Sequence, residues 1–366
     1  RRAVGPIMDE RILRVLEHGQ FIMGPEIGEL EEALAVRAGV KHAVSCANGT
    51  DALQLVLMAW GIGPGDAVFV PAFTYTATAE VVALLGATPV FCDVHENTYN
   101  LDAASLEAAV GAVVADGSLT PRAVIPVDLF GLPADYPAVR AVACRYGLRV
   151  LADAAQSFGA HQDGRPVGSL AEATATSFFP SKPLGCFGDG GAVFTDEDGL
   201  ADDLRSLRQH GRGAHKYDMV RVGVNSRLDT VQAAVLLAKL TVFDAEIEAR
   251  SKVAAQYSAG LAGIKELSLP GEGPSAWAQY TIRVLSEEPD RDEFRGSLRK
   301  ASVPTAIYYP RGLADQPCFR DFRVFGSTRT TTGLTTSVVS LPMHPYLAAQ
   351  DVSGVVQAVR SALPAS

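Results

Sequence analysis

Apolar residues along this chain switch between two spacings, and the switching predicts an architecture. Ile7, Ile12, Val15 and Leu16 fall near helical spacing, and His18-Gly19 ends that run. A second helix is expected over 25–38, with Ile27, Leu30, Leu34 and Ala35 on one face. Short continuous apolar runs then take turns with helical ones. Strands are expected at 43–46, 67–70, 90–94, 123–127 and 148–152. Between them lie a helix with Leu53, Val56, Leu57 and Trp60 on its core face, and further helices at 78–85, 106–113 and 136–146. Strands without polar alternation are buried on both faces, so the succession implies a parallel sheet covered by helices. Ligands of such sheets bind beyond the carboxyl ends of the strands.

Downstream of 174–193 a charged helix is expected over 198–210. Asp229-Thr230 then reads as the cap of one long helix, carrying Val231, Val235, Ala238 and Val242 on one face and continuing towards Arg250. Beyond it the pattern changes character. Residues 278–284 alternate as a half-exposed strand, 292–301 read as a helix, and short strands fall near 305–308 and 338–341. The expected fold class is therefore α/β, with a large domain over 1–243 built on a mostly parallel sheet and a smaller α+β domain over 244–366. The N-terminal helix is a candidate to pack on the smaller domain. No internal repeat or low-complexity tract occurs.

Composition narrows the class. A chain of 366 residues with 48% hydrophobic and 20% charged residues suits a soluble, well-packed enzyme. A formal net charge of -9 argues against a basic surface for nucleic acid. The five cysteines form no C-x-x-C pair, and their odd number suits reduced thiols and a cytoplasmic setting. No apolar run is long enough for a membrane span, and the charged N-terminal segment is unlike a secretory signal. The chain does not begin with Met, so a short piece of the natural start is expected to precede it.

The candidate chemistry centres on Lys182. It follows the apolar run Phe178-Phe179-Pro180 and precedes Gly185, Gly188, Gly190 and Gly191, a setting that suits a lysine held inside a site as well as a plain turn. A desolvated lysine loses its proton and becomes a nucleophile towards carbonyl carbon. Asn48-Gly49-Thr50-Asp51 opens a helix after a strand, so it is either an ordinary cap or a phosphate seat. Asp153 closes a strand, and no neighbouring His or Cys cluster makes it a metal ligand. A buried acid there pairs with a cation such as a pyridinium nitrogen, and Gln156 lies on the same side. A nicotinamide-binding fold is disfavoured, because the glycines follow a lysine loop instead of opening a helix after the first strand.

The segments GTDAL (49–53), PAFTYTATAE (71–80), DAAQSFGA (153–160), SFFPSKPLGCFGDGGA (177–192), NSRLDTVQAA (225–234) and SLPMHPYL (340–347) together resemble the DegT/DnrJ/EryC1/StrS family. These are pyridoxal-phosphate sugar aminotransferases of fold type I. The resemblance implies pyridoxal 5'-phosphate attached through Lys182, with Asp153 at the pyridine nitrogen, Gln156 near the ring oxygen and Tyr75 stacked on the ring. It further implies Gly49, Thr50 and Ser177 on the phosphate, and a homodimer in which Asn225 reaches the partner subunit's phosphate. Glutamate is the implied amino donor. The motifs are similar to those of the branch acting on nucleotide-linked 3-keto sugars, including UDP-2-acetamido-3-ketoglucuronic acid. That branch commonly places a His after its Tyr-Tyr-Pro segment, whereas Tyr308-Tyr309-Pro310 here leads into Arg311-Gly312. The alternatives are a 4-keto-6-deoxy sugar or a non-catalytic regulator that binds the cofactor. Arg212, Lys216, Arg221 and Arg227 cluster beside Asn225; Arg227, Arg212 and Tyr308 are the candidate substrate contacts, with no metal. His161, His210 and His215 are not needed by this chemistry.

Overall fold

A computed structural model describes residues 3–215 and 217–364; Lys216, one of the basic loop residues, lies outside them. In chain order the strands are β1 (His42–Cys46), β2 (Asp66–Pro71), β3 (Thr88–Cys92), β4 (Thr120–Val124) and β5 (Arg149–Asp153), followed by β6 (His161–Gln162), β7 (Arg165–Pro166), β8 (Ala173–Ser177) and β9 (Gly191–Thr195). Seven of them form one sheet in the order β1-β9-β8-β5-β4-β2-β3, while β6 and β7 make a small separate hairpin. The pairs from β8 through β3 are parallel. Only β9 runs against its neighbours β8 and β1. Parallel neighbours need a crossover long enough to bring the chain back, which the intervening helices supply. Between β8 and β9 no helix intervenes, so the chain returns antiparallel and the Lys182 segment becomes the loop of a hairpin at the sheet edge.

Both faces of the sheet are buried. Val68 and Val70 of β2 join Leu53, Val56 and Val81 on one side, and Ala67 and Phe69 join Leu106, Val110 and Val139 on the other. This is the period-two division of a doubly covered strand. The helix Gly5–His18 does not pack on the C-terminal sheet. Its Val4 and Met8 side meets Ile27, Leu30, Leu34 and Val235, and Arg14 and His18 both reach the buried carboxylate of Glu26.

The smaller sheet, β10 (Leu267–Ser268), β11 (Tyr280–Val284) and β12 (Val338–Leu341), is antiparallel throughout. Tyr280, Ile282 and Val339 pack under Tyr257, Phe294, Leu298, Val355 and Val359. The helix Ala349–Ser361 was not anticipated, although Val352, Val355 and Val359 carry its spacing.

Three expected elements differ. The long helix after Asp229 is two, Thr230–Leu240 and Phe243–Leu261. Thr241 and Val242 close back onto Ala238 and Lys239 in tighter turns, and the Thr241 hydroxyl donates to the Ala238 carbonyl at 2.7 Å, which ends the first helix. Asp229 sits at the cap position without a side-chain bond, and Thr230 instead accepts from Gly24 N–H. The charged helix stops at Leu207, because His210 adopts φ 65° and Val224 N–H takes the Leu207 carbonyl. The strand expected near 305–308 is a single bridge between Ala306 and Ser340, since Pro304 has no N–H to extend it.

Candidate active site

The carboxyl ends of β5 and β8 lie side by side, with Asp153 in register with Ala175 and Ser177 two residues further along β8. On the other side of β8, the helix Gly49–Ala59 begins against the same edge. Asn48 caps it by accepting from Asp51 N–H at 2.8 Å, which leaves the N–H groups of Gly49 and Thr50 at the open end of the helix. A Cβ at Gly49 would stand 2.6 Å from that of Ser177, so only glycine lets the helix terminus approach this strand end so closely.

Asp153 is buried. Its carboxylate accepts from Thr78 Oγ1 at 3.0 Å and from Ala155 N–H at 3.2 Å. Burial pushes its pKa above the usual carboxylate range, and the Ala155 N–H, the nearby Lys182 charge and Thr78 oppose the rise. Lys182 is half-buried in the hairpin loop. Its ammonium is pulled below the ordinary amine range by desolvation, with Asp153 opposing. The loop is held by its own bonds: Lys182 N–H donates to the Phe179 carbonyl at 2.9 Å, Cys186 N–H to the Phe178 carbonyl at 2.7 Å, and Lys239 Nζ to the Gly185 carbonyl at 2.5 Å.

Gln156 is buried and accepts Phe130 N–H at 2.6 Å on Oε1. Tyr309, also hydrogen-bonded to Gln156, has its phenol pushed up by burial. Its ring lies 6.0 Å from Phe73 and 6.4 Å from Tyr75. Tyr75 itself is 58% exposed. Tyr308 is partly exposed beside Tyr309.

The remaining candidates lie in the segment that crosses the front of this edge. Ala47 N–H donates to Ser226 Oγ at 3.2 Å, and Ser226 N–H donates to the Arg208 carbonyl at 2.9 Å. Arg208 is buried and donates to Glu31, the Ser45 carbonyl and Ser45 Oγ, which ties that segment to the end of β1. Asn225 and Arg212 are exposed. Among the described residues no hydrogen bond or ion pair joins either to Asp153 or Lys182. Arg227 is half-buried, and its Nε has no partner among the described residues.

The structure thus gathers Gly49, Asp153, Gln156, Ser177 and Lys182 at one edge, with Thr50 beside Gly49, and leaves Asn225 and Arg212 on an open face. Sequence reasoning did not single out Thr78, Tyr309 or Arg208. Thr78 lies within PAFTYTATAE, but nothing in the sequence says which of its three threonines meets Asp153.

The chain belongs to the DegT/DnrJ/EryC1/StrS aminotransferase family, whose sequence profile matches residues 6–360. The architecture is that of the fold type I aminotransferases. One similar solved structure is a DegT DnrJ EryC1 StrS aminotransferase from Brucella abortus, with TM-score 0.95 and 46% identity, covering 99% of this chain and 96% of that one. The chain is 51% identical over 344 residues, 93% of its length and 91% of the relative's, to UDP-2-acetamido-2-deoxy-3-oxo-D-glucuronate aminotransferase of Pseudomonas aeruginosa. It is 40% identical over 358 residues, 96% of its length and 91% of the relative's, to dTDP-3-amino-3,4,6-trideoxy-alpha-D-glucose transaminase of Streptomyces venezuelae.

Proposed function

We propose that the chain moves an amino group from glutamate to a nucleotide-linked keto sugar, with pyridoxal 5'-phosphate as carrier and UDP-2-acetamido-3-ketoglucuronic acid as its first substrate. The observation that carries this reading is a desolvated lysine, Lys182, facing a buried acid, Asp153, whose own partners leave it above the ordinary carboxylate range. Such an acid is stabilised by a cation, and a protonated pyridine nitrogen is one. The other end of the site fits as well: the N–H groups of Gly49 and Thr50 and the Ser177 hydroxyl suit a phosphate at a helix N-terminus. When bound, the cofactor supplies an electrophilic carbonyl carbon and a sink for the electrons released at the substrate carbon.

This chain's residues do the rest. Lys182, whose ammonium desolvation makes easier to deprotonate, would take the proton from the donor α-carbon and later deliver one to the sugar carbon. With the cofactor bound, Asp153 would keep the ring nitrogen protonated, Gln156 would meet the ring oxygen and Tyr75 would lie against the ring. Arg227, Arg212 and Tyr308 meet the substrate, a guanidinium suiting a uronate or diphosphate through paired hydrogen bonds. The relatives that act at the sugar 3-position support 3-amination.

The working unit is a homodimer, large domain 1–243 and small domain 244–366 in each chain, with Asn225 completing the partner subunit's phosphate site. Support comes from the exposed apolar residues Phe21, Ile22, Met219, Val220 and Val222 around the Asn225 segment. Five free cysteines suit the cytoplasm, and among the described residues no helix is long and apolar enough to cross a membrane.

The test is a titration of cofactor-loaded protein with glutamate, followed by addition of keto sugar. Visible absorbance should shift with glutamate and return with sugar. A protein that binds the cofactor yet never reacts is a regulator, and better turnover of a neutral 4-keto-6-deoxy sugar would reject the uronate. Mixing Asn225→Ala with Lys182→Ala chains should restore activity in about half of the heterodimer's sites; no recovery in verified heterodimers places Asn225 in its own subunit's site.

A further inference from the structure

The strand β1 lies at the edge of the seven-stranded sheet, so the outward N–H and C=O groups of its last residues have no strand to pair with. The chain supplies other partners. Ser45 N–H and Oγ donate to Glu31 Oε1 at 2.9 and 2.7 Å, and the Ser45 carbonyl accepts from the buried Arg208 guanidinium at 2.6 Å. Arg208 also donates to Glu31 Oε1 at 2.5 Å, so one carboxylate and one guanidinium close around a single serine. Further along, Ala47 N–H donates to Ser226 Oγ at 3.2 Å, and Ser226 N–H returns to the Arg208 carbonyl at 2.9 Å. Arg208 therefore grips the end of β1 with its side chain, and with its main chain it holds the residue that takes the next outward N–H. Asn225 is pinned beside it, because Gln209 and Asn225 form a bridge and His210 N–H donates to the Val224 carbonyl at 2.9 Å.

On its inner side the turn that follows β1 has no slack. A Cβ at Gly191 would stand 2.4 Å from the Asn48 carbonyl oxygen, and one at Gly49 would stand 2.6 Å from Ser177 Cβ. We propose that Arg208 is the positioning residue that fixes the outer side: it sets where the N–H groups of Gly49 and Thr50 point and holds the Asn225 segment in the same frame. The inference rests on the reading of those N–H groups as a phosphate seat. Hydrogen bonds from a helix terminus to a phosphate weaken steeply with misplacement, so a tie a few residues away acts on phosphate binding without touching the phosphate. Arginine suits the place because its guanidinium stays charged when buried and serves Glu31 and the Ser45 carbonyl together.

Pyridoxal 5'-phosphate and pyridoxal present the same aldehyde to Lys182 and differ only in the phosphate. The ratio of their affinities for the cofactor-free chain, measured by equilibrium dialysis, therefore isolates the seat. Arg208→Met should weaken binding of the phosphate form about tenfold and of pyridoxal less than about twofold. Arg208→Lys, which keeps a charge against Glu31 on a single ammonium, and Ser226→Ala, which frees Ala47 N–H, should each weaken the phosphate form about threefold with pyridoxal again nearly unchanged. These two milder variants carry the test should Arg208→Met fail to fold. A purely structural role lowers the folded fraction and weakens both ligands in proportion. Equal losses for the two ligands, an unchanged ratio in a folded Arg208 variant, or a parent chain that binds both ligands equally would each overturn the inference. Failure of the parent enzyme to turn over any keto sugar strikes the proposed function instead, and the affinity ratio still reads Arg208 by itself.

Discussion

Two buried carboxylates stand together at the carboxyl edge of the seven-stranded sheet and are treated in opposite ways. Asp128 is fully enclosed and accepts from Ala134 N–H at 2.8 Å, Tyr136 OH at 2.9 Å and Ser157 Oγ at 2.6 Å. Asp153, whose carbonyl accepts Asp128 N–H at 3.1 Å, has two donors on its carboxylate and a lysine nearby. The first acid takes three donors from within the chain and holds the edge together, although burial still raises its pKa. The second has two donors and a desolvated lysine nearby, the arrangement proposed above to meet a cationic ligand. Neither burial nor a raised pKa marks a functional acid, since Asp128 has both; the desolvated lysine beside Asp153 is what sets it apart.

The comparison can be broken by substitution. Lys182→Ala should cost at least about 10⁴ in turnover with unchanged far-UV circular dichroism, because it removes the residue proposed as both attachment point and proton carrier. Substantial residual transamination would sink the assignment. Asp153→Ala should cost about 10³ in kcat yet leave the denaturation midpoint of cofactor-free protein unchanged or higher, since it deletes an under-compensated buried acid. Asp128→Ala should do the reverse and lower stability by about 3 kcal/mol, as three buried donors lose their acceptor. A midpoint equal to that of Asp153→Ala would erase the distinction between the two acids. Thr78→Val is the mildest, a fall of about threefold in kcat with little change in stability, because Asp153 keeps its second donor.

A pH measurement sharpens the same contrast. Burial, opposed by its three donors and aided by the charge of Asp153, pushes the Asp128 pKa up to about 7. Between the ordinary carboxylate value near ~4 and that one, the folded chain holds a proton that the unfolded chain has released. The stability contributed by this group is therefore full below pH ~4 and is lost as pH rises towards about 7. In Asp128→Asn the slope of unfolding free energy against pH over that window should be less negative. An unchanged slope would mean that Asp128 titrates as an ordinary acid.

Much of this was legible before any coordinates. The continuous apolar runs around Val68 to Val70 and the helical spacing of Leu53, Val56 and Leu57 predict covered parallel strands, because burial on two faces and burial on one stripe leave different periods. The ordered motifs around Gly49, Asp153 and Lys182 predict a candidate site, and the structure gathers those residues at one edge of the sheet. Sequence reasoning took Ile7, Ile12, Val15 and Leu16 as the N-terminal stripe, offered that helix to the smaller domain and ran two later helices together; Ile7 and Leu16 are exposed, and Val4 and Met8 face Ile27 and Val235 instead, because a stripe states that a face is buried but not against what.

Tertiary structure alone decided the rest. That Thr78 and not Thr74 or Thr76 bonds Asp153 depends on how a helix start meets the neighbouring strands. The meeting of Tyr309 with Gln156 and the fixing of Phe130 N–H on the same amide join segments far apart in the chain, and no local pattern encodes such distances. Asp128 and Asp153 both close strand-like apolar runs and look alike in sequence. The donors around each and the lysine beside Asp153, both set by the packed chain, separate the acid that holds the fold from the acid proposed to meet a ligand.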